Sequence, residues 1–369
     1  MQFMSAHNSR KLVLHFDLRN TILVADSVTN INVEQALNSY LTGVTWGKED
    51  DKTGEWTWVS DTPSLDPPNE DCVTYYKYLE KELVKVPYDR LLLRQATGDF
   101  TQVELGRRFS TFFDKHLRLL EWTHGKHSNV KAAFYMHGTN GKRYHYLLPS
   151  FFNLLSTLYS QGRDFCVVLR TYGMDAANVL ECIKLFTGGL HPDFPHPLPL
   201  KVHTKPGAIL RNGENFELKG QRNECDVTLS SEDQIYSILS EGGGIRAFVD
   251  DFANWQNHGY HYSKGKPLWI NLHDTSVQHI LFDDNIRVTE DDSVANVRLF
   301  SVADGSFRSL SKEHASRFQD TCLVQADLLE SIQRSDYFIE KVKACEDRYN
   351  NLLQQKDVFN SKKHAMKYS

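Results

Sequence analysis

Between Lys11 and Ser27 the chain reads K-L-V-L-H-F-D-L-R-N-T-I-L-V-A-D-S. A β-favouring apolar run, Leu12 to Phe16, closes on Asp17, and a second apolar run, Ile22 to Ala25, follows the polar triplet Arg19, Asn20 and Thr21. This predicts a buried strand that delivers a carboxylate to its carboxyl end. The pattern recurs. Phe165 to Gly173 (F-C-V-V-L-R-T-Y-G) runs into Thr171, His279 to Ile286 (H-I-L-F-D-D-N-I) runs into Asp283 and Asp284, and Ile245 to Val249 runs into Asp250 and Asp251. Ligands of open α/β sheets sit outside the carboxyl ends of the strands, so polar residues there are placed for chemistry. Taken singly, a strand-ending Asp also serves as the cap of a following turn.

Helical spacing marks Asn32–Tyr40, Val73–Val84, Val103–Trp122, Tyr146–Tyr159, Met174–Phe186 and Glu232–Ser240. The Tyr146–Tyr159 stretch directly precedes the strand ending at Thr171 and is a candidate crossover helix. A Trp-rich polar region predicts a hairpin around Lys52–Gly54, the Pro-rich segment from Ser64 is a loop, and an Asn-Gly pair within Gly207–Leu218 signals a second hairpin. Val294–Ser301 reads as a further strand. Leu323–Gln355 holds charge-rich helical stretches, and the basic tail S-K-K-H-A-M-K-Y-S reads as frayed. The separation of Asp17 from Thr171 is far longer than a βαβ unit needs, so a segment is inserted between them.

At 369 residues the chain can bury a sizeable core, and 40% hydrophobic with 24% charged residues is ordinary for a globular protein. A net charge of −5 gives no electrostatic reason to expect nucleic-acid or anionic-membrane partners. No apolar run approaches the ~20 residues that span a bilayer, and M-Q-F-M-S-A-H-N-S-R lacks a signal core, so a cytoplasmic location is expected. The cysteines, at 72, 166, 182, 225, 322 and 345, form no C-x-x-C pair and read as reduced thiols. His191, His196 and His203, and the pairs His124/His127 and His258/His261, lack zinc-site spacing, and neither a P-loop nor a dinucleotide fingerprint is present.

The strand-ending residues, in their order, resemble the motifs of the haloacid dehalogenase superfamily. That family opens with an apolar strand followed by D-x-D-x-T or a variant, a frame filled here by Asp17, Leu18, Arg19, Asn20 and Thr21. Its second motif is a strand ending in Ser or Thr, matched at Thr171. A Lys comes third, with Lys264 and Lys266 of S-K-G-K-P as candidates, and paired acids come fourth, matched at Asp283 and Asp284, with Asp250 and Asp251 as the alternative pair. The resemblance implies an α/β fold with a three-layer Rossmannoid sheet and a mainly helical cap inserted after the first strand. The implied division is residues 1–30 with 144–320 as core, 31–143 as cap, 190–225 as a small β insertion and 321–369 as a C-terminal helical segment. An independent interaction domain is the alternative reading of the inserted segment.

By the same resemblance Asp17 would be the nucleophile. Mg²⁺ would be held by Asp17, the backbone carbonyl of Arg19, and Asp283 or Asp284. Thr171 and Lys266 or Lys264 would meet the phosphoryl group, and Arg19 and Asn20 would contact a small anionic, phosphorylated metabolite. The sequence departs from the family at Arg19. HAD phosphatases place an Asp there as general acid and base, a role closed to a permanently protonated guanidinium. Relatives with dehalogenase, phosphonate-cleaving or phosphoryl-transferring activity also lack it. The alternatives are an enzyme in which Arg19 receives the substrate's anion and a catalytically silent binding protein in which Arg19 neutralises Asp17.

Overall fold

The computed structural model describes residues 10–25, 31–124, 131–139, 141–222, 224–287 and 290–365, with side chains described to Gln354, Pro87 excepted. The N-terminal stretch before Arg10, His127 and the last four residues of the basic tail lie outside the described residues. The chain divides into two compact units, residues 1–22 with 149–369, and residues 23–148.

After β1 (Lys11–Asp17) the chain enters the second unit. This contains α1 (Val33–Gly43), β2 (Trp46–Glu49), β3 (Trp56–Trp58), β4 (Val73–Thr74), α2 (Tyr75–Leu83), α3 (Arg90–Gly98), α4 (Ser110–Leu120), β5 (Tyr135–His137) and β6 (Arg143–His145). Asn32 caps α1 by accepting from the Gln35 amide at 2.8 Å, which fixes where the helix begins. β2 and β3 pair antiparallel about the turn at 50–55. Trp56, Trp58, Tyr75, Phe100 and Phe109 pack ring against ring beside them. The long helix expected over Val103–Trp122 is broken: Arg107–Phe109 is a separate 3₁₀ turn and only Ser110–Leu120 is α-helical. The two small sheets, β2 to β4 and β5 with β6, make the inserted segment less purely helical than its periodicity suggests.

The first unit resumes at α5 (Pro149–Ser160), which begins where Pro149 supplies a pre-set φ, three residues later than the apolar spacing suggests. Then come β7 (Phe165–Thr171), α6 (Ala176–Thr187), β8 (Gly207–Asn212), β9 (Asn215–Arg222), β10 (Cys225–Leu229), α7 (Glu232–Glu241), β11 (Gly244–Asp250) and α8 (Phe252–Asn257). The chain ends with β12 (Lys266–Ile270), β13 (Val277–Asp283), β14 (Ala295–Ser301), β15 (Ser306–Ser309), α9 (Lys312–Ala315), β16 (Leu323–Gln325), α10 (Leu328–Gln333) and α11 (Tyr337–Ala365).

The protein is thus of the α/β class, built on an eight-stranded, mainly parallel sheet in the order β10-β9-β8-β11-β7-β1-β13-β16. β1 sits between β7 and β13, parallel to both, with Asp17 in register with Arg170 and Phe16 in register with Phe282. The β8–β9 hairpin turns at Gly213-Glu214, directly after Asn212, and, with β10, extends this sheet through the β8–β11 pairing instead of standing apart as a small insertion. Leu323–Gln325 is an edge strand and not the start of a helix. α11 continues through Ala365, so the first residues of the basic tail are helical.

Alternation along β1 sends Phe16 to one face, against Phe151 of α5 and Phe338 of α11, while Val13, His15 and Asp17 take the other. That second face is covered by α7 and by a separate three-stranded sheet, β12-β14-β15, through Ile235, Leu239, Trp269 and Phe307. A helix-and-sheet layer therefore stands where a helical layer was expected, and it brings the first residue of β12 over the end of β1. No helix of the described residues is long and apolar enough to cross a membrane.

Candidate active site

Three strand ends converge at the carboxyl edge of the central sheet. Asp17 and Asp283 close the adjacent parallel strands β1 and β13, and Asp284 follows at once in the turn. Ligand atoms of all three carboxylates lie within 4.8 Å of one another, the one such group of His, Cys, Asp or Glu side chains among the described residues. Lys266 reaches over them from β12. Its Nζ donates to Asp17 Oδ1 at 2.5 Å and to Asp283 Oδ2 at 2.7 Å, and it is 2% exposed. It also lies 4.9 Å from the centre of the Tyr172 ring, which stacks on Trp255.

The electrostatics follow from burial and proximity. Burial raises the Asp17 carboxyl well above the usual range, Lys266 pulls it back, and Asp283 and Asp284 push it further up. Asp284 is raised to about 6, first by burial and then by Asp283. Burial alone would discharge Lys266, but Asp17 and Asp283 outweigh it and hold the ammonium more firmly protonated than a free lysine. With all three carboxylates ionised, the one ammonium leaves two negative charges uncompensated. This donor set suits a hard divalent cation, which would offset the burial and the mutual repulsion that raise the acids.

Lys264, the alternative lysine, points elsewhere and pairs with Glu214. The alternative acidic pair is likewise committed. Asp250 receives a two-pronged bond from buried Arg170, at 2.9 and 2.5 Å, and Asp251 caps α8 through the Asn254 amide at 3.0 Å. Neither belongs to the group around Asp17, because β11 is separated from β1 by β7. Thr171 ends β7 one step beyond the residue in register with Asp17, and its Oγ1 accepts from the Gly173 amide at 2.9 Å.

Asn20 adopts a left-handed backbone, φ 57°, in the turn after β1, and its Nδ2 donates to Asp284 Oδ2 at 3.0 Å. It thereby orients an acid of the cluster instead of facing outward. Thr21 is fully buried, and its Oγ1 meets no partner among the described residues. Arg19 is half-buried two residues past Asp17, while the ion pair that Asp17 makes is with Lys266. Counter-ion duty at the carboxylate therefore falls to the lysine. Of the histidines, His191 is buried against Phe152 and Phe194, and its Nδ1 accepts from the Asp193 amide at 3.2 Å, a local structural role.

The sequence reading missed two supports. Arg170 Nη1 donates to the Pro267 carbonyl at 3.1 Å, tying the start of β12 to β7, and Tyr172 packs its ring against the Lys266 ammonium. Arg170 was readable as a charge near the end of an otherwise apolar strand, opposite another strand that ends in an acid. Comparison of the chain with family models, with curated proteins and with solved structures finds no match.

Proposed function

We propose that this protein is a Mg²⁺-dependent hydrolase or phosphoryl-handling enzyme of the haloacid dehalogenase type, acting through Asp17 on a small anionic, phosphorylated metabolite. The observation that carries the reading is the buried cluster itself: one ammonium gripping Asp17 and Asp283, with Asp284 beside them and net charge to spare for a divalent ion. When bound, Mg²⁺ would be held by Asp17, Asp283 and Asp284, with the Arg19 carbonyl as a further ligand, and would neutralise charge on the phosphoryl group.

In this reading an Asp17 oxygen attacks phosphorus, the bond to the leaving oxygen breaks, and water later cleaves the aspartyl-phosphate to phosphate and regenerated carboxylate. Lys266 favours the ionised form of Asp17 against the burial that raises its carboxyl, and a nucleophile needs that form. The missing acid at Arg19 forfeits assistance typically worth ~10²–10⁴ in rate. Substrates whose leaving group departs without a proton, or transfer to an acceptor other than water, fit best. The inserted unit, residues 23–148, would serve as the substrate-selecting cap.

A second reading has its own support. Lys266 already neutralises much of Asp17 and Asp283, and Arg19 stands where the acid would be, as suits a catalytically silent protein that binds a ligand or partner. Turnover of a panel of phosphorylated metabolites, with Mg²⁺ and with EDTA, separates the two. Metal-dependent release of phosphate that disappears in Asp17→Asn supports the enzyme. No turnover by the unmodified protein across the panel supports the silent reading.

A further inference from the structure

We propose that Arg246, near the amino end of the central sheet, anchors a second binding site that takes a small oxyanion, a phosphate or carboxylate group. Arg246 lies on β11 in register with Val168 and is 6% exposed. Its Nε and Nη2 are buried and meet no hydrogen-bond acceptor among the described residues. Two other arginines show what this edge of a guanidinium does in the same unit. Arg170 gives Nε and Nη2 to Asp250 at 2.9 and 2.5 Å, and Arg298 gives the same pair to Glu232 at 2.8 and 2.5 Å. That fork matches the two oxygens of a carboxylate or phosphate. In Arg246 the fork faces no side-chain acid.

The place of the guanidinium is built into the backbone. A Cβ on Gly242 would stand 1.1 Å from Arg246 Nη2, so only glycine at 242 lets the side chain lie where it does. The groups nearest the guanidinium add positive charge or none, and the exposed Asp164 acts on the Cys166 thiol instead. Lys11 Nζ is fixed to the carbonyls of Glu241 and Gly242 at 3.1 and 2.8 Å, the buried Cys166 thiol lies against the guanidinium as a weak sulfur acceptor, and burial, Arg246 and Lys201 together disfavour protonation of His203. The nearby acids are engaged elsewhere, Glu241 with Arg222 and Glu224 with Lys201. A guanidinium taken out of water without an acidic partner is strongly penalised, and an anion on its unpaired fork removes the penalty.

Thermal unfolding tests this at constant ionic strength, with EDTA present so that the Asp17 cluster takes no metal. Sodium chloride is replaced stepwise by sodium phosphate or by sodium acetate. The midpoint should rise saturably, by roughly 3 °C at about ten times the dissociation constant. Arg246→Met should be no less stable than the unmodified protein in chloride and should lose the saturable rise. Gly242→Ala, which displaces the guanidinium while keeping its charge, should lose it too, and covers the case in which Arg246→Met fails to fold. A response to phosphate alone identifies a phosphate-bearing ligand, and an equal response to acetate identifies a carboxylate. A rise of equal size in the unmodified protein and both variants, no saturable rise at all, or a response to chloride matching that to oxyanions would overturn the proposal.

Discussion

The two ends of the central sheet handle buried charge in opposite ways. At the carboxyl end, Lys266 is gripped by Asp17 and Asp283, Arg170 is locked to Asp250, and the surplus is negative. Toward the amino end, Arg246 is almost as deeply buried yet has no acid on its fork, and the surplus is positive. On the same face, with His15 level with Arg246, lies a neutral zone. His15 and His279 stack and share a 3.0 Å hydrogen bond, and Ser240 meets the far nitrogen of His279 at 2.9 Å. Compensated charge costs little and fixes geometry, whereas uncompensated charge is tolerated where something else completes it. The comparison therefore directs a search for a cation to one end and for an anion to the other.

The sharpest way to break the comparison is to remove the shared cation. Lys266→Met leaves Asp17 and Asp283 buried without their partner and should cost about 3–5 kcal/mol at pH 7.5 by urea unfolding. The loss should shrink near pH 5 as the acids take up protons. A loss that does not change between the two pH values would mean that packing, not charge, is what the variant disturbs.

Next in size is the neighbouring pair. Asp250→Asn should cost about 2–4 kcal/mol by stranding Arg170, whereas Arg170→Met combined with Asp250→Leu should cost clearly less, because no charge is then left buried alone. Equal losses would show that the pair is held for its packing.

Much of this layout is legible in the sequence, and the exceptions have physical reasons. The strands ending at Asp17, Thr171 and Asp283 stand out because each is a near-continuous apolar run, buried on both faces of a parallel sheet. Of the site residues named from sequence, Asp17, Lys266, Asp283 and Asp284 lie together. Sequence order alone could not choose between Lys264 and Lys266, because two positions along the chain place one side chain on Glu214 and the other inside the cluster. Nor could it show that β12 belongs to a second sheet laid across the first, since that depends on pairing with β14, far along the chain. The partnering of Arg170 and the lack of it at Arg246 are invisible for the same reason: both depend on which acid the fold brings within reach.

The histidine zone gives a pH prediction of intermediate size. Burial and its neighbours hold His279 down to about 3, and His15 is also well below its ordinary value, while both return to about 6.5 in the unfolded chain. Their contribution to stability is complete above pH 6.5 and is lost as pH falls toward 3. Asp284 has the opposite sign. Raised to about 6 from 3.8, it favours the fold fully below pH 3.8, and that contribution is lost as pH climbs through 6. Mg²⁺ should reverse the acidic part, so the stabilisation it gives, read from urea midpoints, should grow between pH 5 and 7. A metal effect that is flat over that range would argue that the carboxylates are not its ligands.

The smallest expected effect is at Arg19. Arg19→Asp restores the acid–base position of the resembled family without touching the Lys266 grip. On the enzyme reading it should lower turnover of the true substrate by removing its anion contact. On the silent reading it should strengthen Mg²⁺ binding and bring weak phosphatase activity. Phosphate release and Mg²⁺ titration on the two proteins distinguish these results.

The central claim is that the negative end of the sheet is a phosphoryl site centred on Asp17. Beryllium with fluoride mimics a phosphoryl group bonded to an aspartate, so the most direct test is thermal unfolding with Mg²⁺, with beryllium and fluoride, and with all three. A stabilisation that requires all three and vanishes in Asp17→Asn is the predicted result. No stabilisation of the unmodified protein, or an equal one in Asp17→Asn, would contradict it.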